Sequence, residues 1–263
     1  MEFKNETDRF DQHFLVDQSV IDKFISEAKL KNSDIVVEIG PGKGVITEKI
    51  AATAKKLYVI EIDERLKPIL LPLTNKYKNI EFIFNNVLDT FIPECDKIIT
   101  SLPYSIVEPF INKIIKCQFN ELLMITGATY ADNVVNNKKN KLALLTNCYF
   151  KTTKIMDIIP EAFDPKPRVL SSMIKLVPVS ENELSDSLLI CRYLFFFKGK
   201  KLKNALVESL IKKEKLREKI LTQKEAKAIV EQLNFDSDLL NKEFMLFSNK
   251  ELEHLFEKIE LLK

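Results

Sequence analysis

Short apolar runs alternate with longer stretches of helical period along the first two thirds of the chain. Ile35–Ile39, Lys56–Asp63, Ile80–Phe84, Lys97–Thr100 and Glu121–Ile125 are brief and rich in Ile, Val, Leu and Phe. Such runs predict strands covered on both faces, as in a parallel sheet. Between them, Gln18–Leu30 places Val20, Ile21, Phe24, Ile25 and Ala28 on one face of a helix. Glu64–Tyr77 reads as a helix with Pro68 near its start and a kink or early break at Pro72. Glu108–Lys116 reads as another helix. Tyr149–Met156 and Ser172–Leu176 predict a late antiparallel pair, joined through the proline-rich stretch 160–167. Strands alternating with helices, then a strand pair, define an open α/β sheet.

The pattern changes near Pro178. Residues 179–186 are polar, and everything beyond them has helical period. Thr222-Gln223-Lys224-Glu225 and Ser248-Asn249-Lys250-Glu251 each place a Ser or Thr three residues before a Glu, the spacing of a capping box ahead of a helix. The expected organisation is an α/β domain over residues 1–180 and a small helical domain over 181–263. Residues 1–11 are polar and carry no element.

Composition adds limits. With 46% hydrophobic and 30% charged residues among 263, the chain has the make-up of an ordinary globular protein of one full domain and a smaller one. No apolar run approaches the roughly 18–20 residues of a membrane span, and the N-terminus has no apolar signal core. Cys95, Cys117, Cys148 and Cys191 are scattered with no Cys-x-x-Cys, and His13 and His254 are the only histidines. Reduced, buried thiols and a cytoplasmic location fit that distribution, and a zinc site does not. Charge is uneven. Between Lys198 and Lys219 nine Lys/Arg face three Glu, an excess of six in a chain of net charge +2, which leaves the rest at −4. That run is either a solvated helix face or a surface for a phosphate backbone.

The candidate chemistry begins after the first buried run. Gly40-Pro41-Gly42-Lys43-Gly44 sets three glycines at alternate positions between a strand and a helix, where the backbone turns sharply and a ligand can approach it closely. Tight strand–helix turns also carry glycine for geometry alone. Glu61, at the end of the next strand and 21 residues after Gly40, tips the balance, since an acid at that distance accepts the ribose hydroxyls of an adenosine. The third glycine of a dinucleotide loop and the Gly-Lys-Ser/Thr of a P-loop are both missing, so the pattern favours S-adenosylmethionine over NAD or ATP. Ligands of open α/β sheets bind outside the carboxyl ends of the strands. Gly40–Gly44, Glu61–Asp63, Asn85–Asp89 and Ser101–Tyr104 converge there. In the last, Pro103 fixes the backbone beside a free carbonyl, and Tyr104 offers a stacking face for a base. Asp63 and Asp89 read as solvated loop carboxylates, and Phe195-Phe196-Phe197 as core.

Five motifs occur in order: Gln12-His13-Phe14-Leu15-Val16-Asp17, Glu38-Ile39-Gly40-Pro41-Gly42-Lys43-Gly44, Val59-Ile60-Glu61-Ile62-Asp63, Ser101-Leu102-Pro103-Tyr104, and Ala162-Phe163-Asp164-Pro165-Lys166-Pro167-Arg168-Val169. Together they resemble the ribosomal small-subunit RNA adenine N6,N6-dimethyltransferase family, whose relatives include the erythromycin-resistance ribosomal methyltransferases and mitochondrial transcription factors of the same fold. The likeness runs from about Gln12 to Pro178. A weaker echo, Phe195 to Leu206, falls where the family's helical domain begins with a basic stretch.

The resemblance implies a Rossmann-like, S-adenosylmethionine-dependent methyltransferase domain followed by a helical RNA-binding domain. It implies that His13 and Leu15 line the methionine end of the cofactor, that Gly40 and Gly42 pass under it, and that Glu61 holds the ribose. Ile62, Asn86 and Val87 complete that pocket, Asn86 standing where the family usually has an aspartate that reads the adenine amino group. Ser101, bordering the cofactor, Leu102, Pro103 and Tyr104 form the catalytic set, with Phe163 stacking on a flipped target base. The implied reaction is in-line methyl transfer to an exocyclic adenine amine, whose lone pair is conjugated with the ring. Positioned acceptors for the amino hydrogens matter more there than a strong base. The implied partner is small-subunit ribosomal RNA or an immature small ribosomal subunit, with no membrane and a monomeric protein.

Three departures qualify the likeness. Ser101 stands where the family has asparagine, Asn86 replaces the aspartate, and Thr126–Asn133 lacks the Gln, Glu and Arg of relatives. Loss of one acceptor costs about 10- to 1000-fold in rate by analogy with an oxyanion donor. A second reading is therefore a weak or silent family member that assembles ribosomes by binding RNA, or a paralogue with another RNA target.

Overall fold

Residues 12–262 are described in a computed structural model of the chain, and the polar stretch 1–11 lies outside the described residues. Among the described residues nine strands form: β1 (Phe14–Leu15), β2 (Ile35–Ile39), β3 (Lys56–Glu61), β4 (Ile80–Phe84), β5 (Lys97–Ser101), β6 (Glu121–Gly127), β7 (Phe150–Ile158), β8 (Phe163–Asp164) and β9 (Ser171–Pro178). Seven build one sheet in the order β4-β3-β2-β5-β6-β9-β7, while β1 and β8 pair antiparallel in a separate ribbon. From β4 to β6 every neighbouring pair is parallel, and β9 joins β6 antiparallel.

The buried runs explain the parallel sheet. Val36, Val37, Leu57, Val59, Ile98 and Leu122 are all inaccessible to solvent, so neither face of the central strands is wet. Helix Gln18–Ala28 lays Val20, Ile21, Phe24 and Ala28 into the core, with Ile25 half-buried against it. Asp17 caps its start through the Ser19 and Val20 amides at 2.8 and 3.2 Å. It ends short of Leu30 because Lys29 turns left-handed, with φ 45°. The stretch 64–77 is not one helix. A 3₁₀ turn, Glu64–Leu66, and two short helices, Lys67–Leu70 and Leu73–Lys76, replace it, since Pro72 has no amide to donate to the preceding turn.

The chain falls into two compact units. One comprises the described residues to Asp132 together with Thr152–Pro178. The other comprises Asn133–Lys151 and Val179 onward. The expected boundary at 180 took no account of residues 133–151. Helix Lys141–Tyr149 buries Ala143, Leu144, Leu145 and Cys148 and packs on helix Asp186–Phe196 of its own unit. Helices Leu202–Leu216, Gln223–Gln232, Ser237–Asn241 and Asn249–Glu260 follow. Both anticipated capping boxes form, and a third, Ser180 with Glu183, sits in the polar stretch after Pro178. Among the described residues no helix is long and apolar enough to cross a membrane, and no group of His, Cys, Asp and Glu is arranged to hold a metal. Cys95, Cys148 and Cys191 are buried and Cys117 half-buried, all as free thiols.

Candidate active site

Strand register puts the predicted loops at one level. Ile39 pairs with Ile60 on one side and with Thr100 on the other, so Gly40, Glu61 and Ser101 follow side by side at the carboxyl ends. The order of the sheet also reverses at β2, whose neighbours are β3 and β5, and that switch opens a crevice. Thr100 Oγ1 donates to the Ile39 carbonyl at 2.8 Å and ties two of these ends together.

Gly40, Gly42 and Gly44 have φ of 68°, 55° and 83°, the left-handed region in which side chains are strained. Gly42 carries a second constraint: a Cβ there would lie 2.7 Å from Phe14 Cδ1. The β1–β8 ribbon thus presses the Phe14 ring onto the glycine loop. Lys43 Nζ stands 5.1 Å from the centre of the same ring.

A cavity of about 330 Å³ occupies the crevice. His13, Gly40, Gly42, Glu61, Ile62, Asn86 and Val87 line it, as do Ser101, Leu102, Pro103, Tyr104 and Phe163. Leu15 does not: it pairs with Phe163 in the ribbon and packs half-buried on the core beneath. Its neighbour Phe14 takes the lining position instead. Asn85, the first residue of the predicted Asn85–Asp89 loop, also lines the cavity, and Ile106 and Ser171 do so without having been singled out in the sequence. Ile106 sits beside the Ser101–Tyr104 motif, but nothing in the sequence marks Ser171.

The polar groups are placed by local bonds. Glu61 is buried, and burial raises its carboxyl above the ordinary value. The Asp63 amide, donating to Oε1 at 2.8 Å, opposes that shift. Asp63 is not solvated as expected. It is buried, and the Arg65 side chain donates to both its oxygens at 2.8 Å, holding its carboxyl below the ordinary range. Asp89 is exposed and accepts from Asn86 Nδ2 at 3.0 Å, while Asn86 Oδ1 accepts the Leu88 amide at 2.9 Å. His13 Nδ1 lies 2.7 Å from the Pro165 carbonyl, joining the two halves of the ribbon.

The Ser101–Tyr104 segment is held at both ends. The Leu102 amide donates to Ile125, but among the described residues no donor reaches the Leu102 carbonyl. Tyr104 Oη and Ser171 Oγ share a hydrogen bond of 2.6 Å, and Ser171 is wholly buried. Its cross-strand partner is Gly127, where a Cβ would come within 3.3 Å of the Tyr104 ring. A bare backbone behind the ring and a hydroxyl at its tip therefore fix Tyr104.

A glycine loop held in the left-handed conformation, a buried carboxylate at the next strand end, and between serine and proline a carbonyl that no donor reaches among the described residues define a nucleotide-cofactor transferase of the methyltransferase kind. The chain matches the family Ribosomal RNA adenine dimethylase over residues 3–241, and it belongs to that family, whose members depend on S-adenosylmethionine. It is 36% identical over 208 residues to a probable ribosomal RNA small subunit methyltransferase A of Methanosarcina barkeri, covering 76% of this chain and 72% of the relative. A protein of the same name from Methanosarcina mazei is 32% identical over 241 residues, 89% of this chain and 85% of the relative. Among solved structures, a dimethyladenosine transferase from Plasmodium falciparum superposes with a TM-score of 0.65 at 25% identity, covering 94% of this chain and 98% of the other. The 23S rRNA methyltransferase ErmE shares the fold, with a TM-score of 0.61 at 20% identity and coverage of 94% and 99%.

Proposed function

We propose that this chain methylates N6 of adenosine in small-subunit ribosomal RNA, adding two methyl groups, during ribosome biogenesis. The observation that carries this reading is the cavity that Leu102, whose carbonyl has no donor among the described residues, shares with Glu61 and the glycine loop. The residues present fit S-adenosylmethionine: Gly40 and Gly42 bring bare backbone to the cavity, and Glu61 offers a carboxylate to a ribose. When bound, that cofactor supplies an electrophilic methyl group on a sulfonium. His13 borders the site for its amino-acid end. Asn86 keeps one lone pair of Oδ1 for an adenine amino group, because the Leu88 amide uses the other.

The transfer itself rests on placement. The Leu102 carbonyl accepts one amino hydrogen of the target adenine, and Ser101 Oγ is the second acceptor where relatives have an amide. Together they favour a pyramidal nitrogen whose lone pair is free to attack. Tyr104 offers a ring face for a flipped base, while Phe163, 4% exposed and packed in the core, borders the cavity from below. An unpaired adenosine is the cheaper substrate, since less stacking is lost on exposure. The α/β unit, to Asp132 with Thr152–Pro178, is then catalytic, and the helical unit, Asn133–Lys151 with Val179 onward, binds RNA. The same reading places the protein in the cytoplasm as a monomer acting on immature small subunits.

Radiolabelled methyl transfer to immature small subunits tests the function. Intact protein that binds both S-adenosylmethionine and RNA yet transfers nothing would leave the assembly-factor reading in its place. Ser101→Asn is expected to raise turnover by about tenfold or more by restoring the amide acceptor. Unchanged turnover would mean that the Leu102 carbonyl suffices. Ser171→Ala is expected to lower kcat about tenfold with the cofactor affinity unchanged, because it loosens Tyr104 without touching the glycine loop. Ser171→Thr should recover part of the loss. An equal fall in cofactor affinity would mark Ser171 as merely structural.

A further inference from the structure

Within the C-terminal unit, Phe196 breaks the rule that rings are buried. Phe195, Phe235, Phe244, Phe247 and Phe256 are all in the core, while Phe196 is 67% exposed. The expectation of core therefore holds for Phe195, in part for half-buried Phe197, and fails for Phe196. Phe196 closes helix Asp186–Phe196, and its ring is held rather than loose. Lys212 Nζ sits 4.4 Å from its centre and 4.5 Å from that of buried Tyr193. The Phe197 ring meets it edge-on at 5.1 Å, and Lys200 Nζ covers Phe197 at 4.9 Å.

A single exposed ring needs no explanation by itself. The charges around this one supply a second observation. In the basic run, Lys200 pairs with Glu208, Lys213 with Asp186 and Glu214, and Arg217 with Asp186. Among the described residues the other six lysines of the run, Lys198, Lys201, Lys203, Lys212, Lys215 and Lys219, have no carboxylate partner. Lys198 and Lys201 lie in the exposed turn directly after Phe196 and Phe197. The run therefore keeps a large positive excess, and one of its unneutralised lysines, Lys212, sits directly on the exposed Phe196 ring.

We infer that Phe196 is a stacking platform for an unpaired base of the RNA, with Lys212, Lys198 and Lys201 taking the phosphates on either side of it. The inference rests on the proposed RNA substrate and adds a second contact, within the C-terminal unit, to the catalytic cavity. A base laid on a ring with ammonium groups at its rim is the usual chemistry of single-strand binding. An anionic lipid surface would ask for a broad apolar helix face. The residues preceding Phe196, Leu194 and Phe195, point into the core instead.

The test uses the full chain and single-stranded RNA oligonucleotides in which 2-aminopurine is moved through successive positions. Wild-type protein should quench the fluorophore at a subset of positions. Phe196→Ala should abolish that quench and weaken binding about 5- to 150-fold, the range for one stacked base, with the thermal melt unchanged. Phe196→Trp should retain both properties. Lys212→Gln should lower the slope of log K against log salt by about one. Phe196→Ala with full affinity and full quench would overturn the inference, as would vesicle binding that depends on Phe196 while RNA binding does not. Methyl transfer by wild-type protein alongside an indifferent Phe196→Ala would sink the platform alone. No RNA binding by wild-type protein would sink the platform together with the proposed substrate.

Discussion

Glu61→Gln is expected to raise the dissociation constant for S-adenosylmethionine about 10- to 100-fold, and calorimetric titration would read it. Two ribose hydroxyls donating to one carboxylate are charge-assisted bonds, and hydrogen bonds to charged groups contribute about 1.5–3 kcal/mol each. Glutamine keeps the shape but loses the charge and replaces one acceptor oxygen with an amide nitrogen that can only donate. The pH dependence separates this role from loss of fold. Burial raises the Glu61 carboxyl, so its ionised fraction falls at a higher pH than that of an ordinary glutamate. Affinity of the wild type should therefore weaken by up to tenfold per pH unit once the solution is more acidic than that raised value. Glu61→Gln should be flat over the same range, and a parallel decline in both proteins would remove Glu61 from the ribose site.

Glu38→Gln is expected to stabilise the protein at alkaline pH and to leave it unchanged near pH 5. Glu38 sits in β2 at 2% exposure, with Oε2 unpartnered among the described residues. Burial, reinforced by the charge of Glu61, pushes its carboxyl from an ordinary 4.5 up to about 8. Between those values the folded chain holds a proton that the unfolded chain has released. Stability therefore falls as pH rises through this window, by up to about 1.4 kcal/mol per pH unit. Below it both states are protonated and the penalty vanishes. Glutamine is neutral throughout, so the urea midpoint of the variant should overtake that of the wild type between pH 6 and 8.5. Parallel profiles would mean that the carboxylate is ionised in the fold and compensated there.

The expected strands were legible because their residues are apolar on both faces, a pattern that only a covered parallel sheet requires. The glycine loop and Glu61 were legible because local backbone and spacing set them. What escaped were contacts made across the chain. Phe14 reaches Gly42 only after β1 pairs with β8, about 150 positions away. Ser171 meets Tyr104 across 67 positions, and neither residue type announces the other. The stretch after β6 reads as a loss of polar residues relative to the family. In the fold, Gly127 is the bare surface on which Tyr104 lies, so part of that loss has a packing use. Pro72 had signalled a break, but not that the helix would fall into three pieces.

The grouping of Asn133–Lys151 with the later helices has a consequence for the order in which the protein is made. Domains fold as units during synthesis, at about 5–20 residues per second. The first unit has all its strands once Pro178 has left the ribosome. Helix Lys141–Tyr149 emerges earlier, yet the helix that covers it, Asp186–Phe196, comes later. For about 2–10 s at those rates, Ala143, Leu144, Leu145 and Cys148 are without that cover. A nascent chain stalled between Tyr149 and Phe196 thus presents an apolar face to whatever chaperone waits at the exit, and a fragment cut at Pro178 presents it permanently.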